Sequence, residues 1–435
     1  MQYYSTNSKT KLPLVSFKEA TIKGQASDNG LYYPEFIPQL TDDFIKNINQ
    51  YSKEEIAFTT IQPFVGNSIP DNVLRHIVNE TINFDFPVVK ITNQIFSLEL
   101  YHGPTLAFKD VGARFMSRCL GYFMQGNNQK VTVLVATSGD TGGAVANGFY
   151  NVDGVDVIIL YPSGKVSSVQ ELQLTTLGKN ITAIEVNGNF DDCQEMVKKA
   201  FSDIELKDKI FLTSANSINV ARWLPQQFYY FYAYQQWQDK QHPPIVCVPS
   251  GNFGNICAGL VAYCSGLPFK HFIAAVNAND TVYNYLHTGK YESKTAVATI
   301  SNAMDVGNPS NFVRILELFN HHYPAFKNMM SSYTILDEET KATVKEVYEN
   351  HQYLLDPHGA VAYASLKKYL LVNPSYKGII LETAHPVKFY DVVEPIINEK
   401  VLVPNSIFSI LNKEKKSIKM EAKYELLKEF LASRV

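Results

Sequence analysis

One lysine, two glycine-rich turns, an arginine and a threonine hold most of the chemistry legible in this chain of 435 residues. Lys109 is the penultimate residue of the stretch LELYHGPTLAFKD, which carries the apolar run Ile95 to Tyr101 into His-Gly-Pro-Thr and ends at Asp110, where an expected helix opens. Strand, tight turn, lysine, helix: this order sets a primary amine at the rim of a sheet, where open α/β folds bind ligands. Partial burial there lowers an amine's pKa and lets it form a Schiff base with a carbonyl. A lone lysine at a helix start is more often an ordinary surface residue, so its weight depends on what the rest of the chain supplies.

Val248-Pro-Ser-Gly-Asn-Phe-Gly-Asn255 follows an expected strand and opens an expected helix. Its glycines let backbone N–H groups turn inward, and the helix N-terminus adds about half a positive charge, so the loop can cradle a phosphate. It is equally a plain glycine-rich turn, and it matches neither a Walker A loop nor G-x-G-x-x-G. Ala136-Thr-Ser-Gly-Asp-Thr-Gly-Gly143 has the same grammar: Ser138, Thr141 and backbone amides can bind a carboxylate or phosphate, and Asp140 is an acceptor. A third cluster, Ser214 to Arg222, ends in an arginine that can grip a phosphate in a bidentate way or simply face solvent. Two anion cradles suit a ligand with two anionic ends, or two ligands. Thr383, at an expected strand end, can hydrogen-bond a buried ring nitrogen, whereas His385 reads as structural. No metal-ligand spacing and no G-x-S-x-G elbow occurs.

The elements that must position these residues follow an α/β rhythm. Strand-length apolar runs recur at 131–136, 155–161, 181–186, 210–213, 245–248, 272–276 and 378–383. Helical periodicity fills 142–150, 167–177, 191–201, 220–238, 254–264, 310–319, 338–350 and 358–369, the pattern of βαβ units around buried parallel sheets. Residues 1 to 88 read instead as a mostly helical N-terminal domain, with Ser52-Lys-Glu-Glu a capping signature and Pro70 near a helix's first position. The tail from Asn412 reads as a solvated linker and a terminal amphipathic helix. Phe228 to Tyr234 is an aromatic stripe without basic neighbours, expected in a core or a subunit interface. Charge is balanced, 39 basic against 42 acidic residues, with no stripe for nucleic acid and no apolar run of membrane-spanning length. The 5 cysteines form no C-x-x-C pair, and the N-terminus lacks a secretory pattern, so a cytoplasmic protein with buried thiols is expected.

A rim lysine, a phosphate cradle and a hydroxyl for a ring nitrogen are the parts of a pyridoxal phosphate site. On His102-Gly-Pro-Thr-Leu-Ala-Phe-Lys-Asp110, Thr137-Ser-Gly-Asp-Thr-Gly142, Asn216-Ser-Ile-Asn-Val-Ala-Arg222, Ser250-Gly-Asn-Phe-Gly-Asn255, Asn308-Pro-Ser-Asn-Phe312 and Thr383-Ala-His-Pro386, the sequence resembles the threonine synthase family. That family lies within the tryptophan-synthase-β-like, fold type II class of pyridoxal phosphate enzymes. The N-terminal Tyr-Tyr-Ser-Thr-Asn and Gly30-Leu-Tyr-Tyr-Pro34 join the match, which spans nearly the whole chain; Val111 and Val387 depart from the expected Phe and Ala without removing a polar group.

The resemblance implies two doubly wound, mostly parallel domains plus the N-terminal one: 1–88, 89–117 with 241–435 as the large cofactor domain, and 118–240 as the small domain. It makes Lys109 the Schiff-base lysine, and Gly251, Asn252, Phe253, Gly254 and Asn255 the phosphate loop. Thr383 would face the pyridine nitrogen, and Asp140 would lie near the ring hydroxyl. Ser138, Thr141, Asn216, Ser217 and Arg222 are the expected substrate-binding residues. The implied reaction is O-phospho-L-homoserine plus water giving L-threonine plus phosphate, by β,γ-elimination and replacement, in a monomer or homodimer. A phosphohomoserine phospho-lyase or a serine/threonine dehydratase are rivals on the same fold, and a silent regulatory binder of pyridoxal phosphate or a nucleotide is a rival of another class.

Overall fold

The computed structural model describes residues 1–126 and 130–434. In chain order its strands begin with β1 (Gln2–Ser5), β2 (Val15–Ser16), β3 (Tyr32–Pro34), β4 (Val88–Lys90) and β5 (Ile95–Glu99). β6 (Val131–Ala136), β7 (Val155–Pro162), β8 (Ile181–Asn187) and β9 (Phe211–Thr213) follow. β10 (Ile245–Pro249), β11 (His271–Val276), β12 (Met330–Thr334), β13 (Gly378–Glu382) and β14 (Ile418–Glu421) complete the series. The chain divides into two units, one made of Met1, Tyr33–Phe108 and Trp223–Leu402, the other of Gln2–Tyr32, Lys109–Arg222 and the chain from Val403 onward.

The first unit is built on a six-stranded sheet of order β12-β11-β10-β13-β5-β4, in which only β4 runs antiparallel. Every residue of β10 and β13 is buried, because helices cover both faces of a parallel sheet. Glu382 of β13 lies opposite Glu99 of β5, and Cys247 of β10 opposite Ile380, so the carboxyl ends of these three strands open on one edge. The aromatic stripe is core: Phe228 through Tyr234 are all buried on the helix Phe228–Gln236, with the Tyr230 ring so close to Gly259 that a Cβ there would meet it at 2.3 Å. That burial within the unit takes away the argument for placing this stripe at a subunit interface.

The second unit holds a five-stranded, wholly parallel sheet of order β14-β8-β7-β6-β9. Leu134, Ile158, Ile184 and Met196 form its core with Leu427 and Leu431 of the C-terminal helix Tyr424–Ala432. Most expected elements stand within a residue or two of their expected bounds, including the Ser52 capping box on the helix Lys53–Val65.

Two local expectations are corrected. The single helix at 220–238 is three pieces, Val220–Trp223, a 3-10 turn Leu224–Gln227 and Phe228–Gln236, because Pro225 has no N–H to continue an α-helical ladder. The tail is not a solvated linker: β14 pairs with β8, and Lys415 bridges Glu171 and Glu185 at 2.6 and 2.8 Å. Pro70 stands at the N-cap of the helix Asp71–Thr81, near its first position as expected. The N-terminal region also contains strands beside its helices, with β1 and β2 paired antiparallel. Among the described residues no helix is long and apolar enough to cross a membrane, and all five cysteines are free thiols, four of them buried.

Candidate active site

The loop after β10 leaves hydrogen-bond donors open at a helix N-terminus. Phe253 sits in the left-handed region at φ 60 with no side-chain cap, and the helix Gly254–Cys264 makes its first internal bond from Cys257 N–H to the Phe253 carbonyl. The N–H groups of Gly254, Asn255 and Ile256 therefore precede the helix's own ladder and face outward with its positive end. Asn255 is 6% exposed; its Oδ1 accepts from Tyr230 Oη at 2.9 Å, while its buried Nδ2 donor has no hydrogen-bond partner. A buried amide donor without a partner is costly unless an acceptor arrives, and a phosphate oxygen is such an acceptor. The left-handed, non-glycine Phe253 is a strained position of the kind found at ligand clamps. It is held edge-on by Phe312 at 5.9 Å between centroids.

The Asn308-Pro-Ser-Asn-Phe312 motif buttresses this loop. Asn311 N–H donates to the Asn252 carbonyl at 3.2 Å, and Ser310 N–H and Oγ donate to Asn252 Oδ1 at 3.3 and 3.2 Å. On the other side, a Cβ at Gly251 would fall 2.8 Å from both the Ala303 carbonyl oxygen and Met304 Cα, so only glycine fits.

Thr383, 6% exposed, follows β13 directly, on the strand next to β10 and at the same sheet edge as the cradle. Its carbonyl accepts from Phe108 N–H at 2.9 Å, and the Phe108 carbonyl accepts from Tyr229 Oη. His385 N–H donates to the Leu106 carbonyl at 3.1 Å, and the fully buried Lys388 donates from Nζ to the Thr105 carbonyl at 2.8 Å. The segment that leads into Lys109 is thus zipped to the segment that carries Thr383. Lys109 itself is half-buried and is the first residue of the helix Lys109–Met124. His385 is structural as expected: its Nδ1 accepts from Val387 N–H at 3.1 Å, and burial pushes its imidazole down to about 4.

In the second unit, Ser138, Asp140 and Thr141 follow β6, and Asn216, Ser217 and Arg222 follow the neighbouring parallel strand β9, so both clusters stand at one sheet edge. Ser138, Thr141, Asn216 and Ser217 are half-buried. Asp140 is buried, its Oδ1 accepting from Gln170 Nε2 at 2.8 Å. Arg222 is 3% exposed and donates from Nη1 to the Ala215 carbonyl at 2.6 Å, which excludes the surface-arginine reading.

Sequence reasoning passed over four residues that the geometry brings forward. Thr137 is the hub of its loop, its Oγ1 accepting from Gly139 N–H and Gly142 N–H at 3.0 and 2.8 Å. Asp356, His358 and Glu382 form a fully buried polar chain in the first unit. Burial, with Asp356 close by, holds the Glu382 carboxyl well above the usual carboxylate range. The Asp356-Pro pair is a helix-start signature and was the one sequence signal available here.

Residues 2–82 match the threonine synthase N-terminal family, 87–377 the pyridoxal-phosphate dependent enzyme family, and 359–431 the threonine synthase C-terminal family. Threonine synthase of Haemophilus influenzae is 44% identical over 394 residues, 90% of this chain and 91% of that one. The crystal structure of threonine synthase from Escherichia coli has a TM-score of 0.93 and 40% identity, covering 100% of both chains. The structure of pyridoxal phosphate-bound threonine synthase from Brucella melitensis has a TM-score of 0.92 and 34% identity, covering 100% of this chain and 99% of that one. Whole-length identity on this scale, over the cradle, the lysine segment and the threonine just described, means that the chain belongs to the threonine synthase family of pyridoxal-phosphate dependent enzymes.

Proposed function

We propose that this chain converts O-phospho-L-homoserine and water to L-threonine and phosphate with pyridoxal phosphate as cofactor. The observation that carries the reading is the loop after β10, where a helix N-terminus and the partnerless Asn255 Nδ2 lie beside the strand that Thr383 directly follows. When bound, pyridoxal phosphate supplies an electron sink for negative charge developed on the substrate carbons.

The residues divide the remaining work. Gly251, Asn252, Phe253, Gly254 and Asn255 hold the cofactor phosphate through backbone N–H groups and the Asn255 amide. Lys109 is the covalent anchor and then the general base that takes the substrate's Cα proton. Thr383 would offer a neutral hydroxyl to the pyridine nitrogen, a partner that would favour elimination and replacement over transamination. Asp140 serves the ring hydroxyl. Ser138, Thr141, Asn216 and Ser217 bind the substrate's anionic ends, and Arg222 stabilises the departing phosphate as charge develops. The working division is 1–88, 89–117 with 241–435, and 118–240, in a cytoplasmic monomer or homodimer.

The deciding experiment incubates the holoenzyme with phosphohomoserine and follows phosphate and threonine together. Equal release of both is expected, and Lys109→Ala should lower the rate at least ~1000-fold. A keto acid and ammonia in place of threonine would identify a lyase or dehydratase and overturn the proposal.

A further inference from the structure

The strand end that carries Thr383 and the turn that presses on Gly251 are joined by three buried side chains. Glu382 Oε1 accepts from Asp356 N–H at 2.7 Å. The Asp356 carboxylate caps the helix Pro357–Val372, accepting from His358 N–H at 2.8 Å and Gly359 N–H at 3.3 Å, and it also binds His358 Nδ1. His358 Nε2 accepts from Ala303 N–H at 3.1 Å. Because Nε2 accepts, Nδ1 must carry the ring proton and donate it to Asp356. The Ala303–Met304 backbone is the surface against which Gly251 packs, with 2.8 Å left to a Cβ. Gly359 is equally obligatory, since a Cβ there would overlap Glu382 Oε2 at 1.5 Å. His358 is 2% exposed, Asp356 and Glu382 are 0% exposed, and Phe389 braces the imidazole at 4.9 Å.

We infer that Glu382, Asp356 and His358 form a strut that sets the position of the phosphate loop relative to Thr383, with His358 the positioning residue for cofactor phosphate. This rests on the pyridoxal phosphate reading above and adds a residue to it. The strut acts through the Asn302–Met304 turn, so its loss releases Gly251 and loosens the phosphate end while the ring end, tied to the Phe108 segment, stays in place.

The test compares pyridoxal phosphate with pyridoxal, which lacks the phosphate, in titrations of the cofactor-free full chain followed by visible absorbance. His358→Asn keeps a polar group near Asp356 but cannot reach Ala303; His358→Gln places an amide oxygen where Nε2 stood. For His358→Asn, pyridoxal phosphate affinity should fall about tenfold while pyridoxal affinity stays within about twofold of the unmodified chain. His358→Gln should restore pyridoxal phosphate binding to within about threefold. Equal losses of the two ligands in His358→Asn, no loss at all, or no rescue by Gln overturns the strut while leaving the cofactor reading intact. Failure of the unmodified chain to develop any band with pyridoxal phosphate overturns that reading and the strut with it. If His358→Asn does not fold, amide exchange at Ala303 in the unmodified cofactor-free chain decides: protection of about tenfold or more supports the strut, and exchange at the unprotected rate overturns it.

Discussion

The loops after β10 and β6 share one grammar, strand then glycine-rich turn then helix, yet they differ in where their donors go. In the loop after β6, Thr137 Oγ1 accepts from Gly139 and Gly142, Gly142 and Gly143 N–H reach the Gly139 carbonyl at 3.0 and 3.3 Å, and Gln170 occupies Asp140. In the loop after β10 the first turn of the helix has no side-chain cap, and the Asn255 amide donor is left open. The first arrangement is a turn that satisfies itself; the second is a turn that leaves donors open. Glycines in the two loops therefore do different jobs: Gly142 clears the Thr137 side chain, whereas Gly251 clears a neighbouring backbone.

That contrast can be broken by mutation. The largest effect belongs to Asn255→Asp, which keeps the acceptor toward Tyr230 but replaces the open donor with negative charge. Pyridoxal phosphate affinity, measured by titrating the cofactor-free chain, should fall about 100-fold, from the loss of a charge-assisted hydrogen bond and added repulsion. Next is Gly251→Ala, whose methyl must push back the Ala303–Met304 backbone; overpacking of about 1–3 kcal/mol predicts roughly tenfold weaker cofactor binding in the same titration. Smallest on binding is Thr137→Val. Losing the hub acceptor should lower unfolding stability by about 1–3 kcal/mol in a urea titration, with cofactor affinity unchanged. If Thr137→Val instead weakened cofactor binding as strongly as Asn255→Asp, the distinction between the loops would collapse.

Much of the fold was readable because its signals are local. Val131–Ala136 and Gly254–Cys264 match their expected bounds, since a β-branched run and an apolar run opening after a glycine-rich turn need no distant partner to be recognised. β14 and the β1–β2 pair escaped because their pairing is decided outside the strand itself: Met420 lies opposite Val186, and Tyr3 opposite Val15. Arg222 shows the same limit in a site residue. Its type suggested anion binding or a solvent-facing arginine, and only packing put it at 3% exposure with the Ala215 carbonyl as a partner.

By itself the sequence determined the residue types at each strand end: the lysine after the HGPT turn, the glycines and Asn255 after β10, the threonine after β13. Those are consequences of local chain order, because a strand followed by a turn and a helix delivers its next residues to a sheet edge wherever the sheet lies. Tertiary structure decided which donors remain available once every buried group has found a partner. That is a non-local question: Thr137 closes one loop from within, while Tyr230, Asn311 and His358, each distant in sequence, hold the other open. Hydrogen-bond satisfaction is counted over the whole buried set, so it cannot be read from any one stretch of chain.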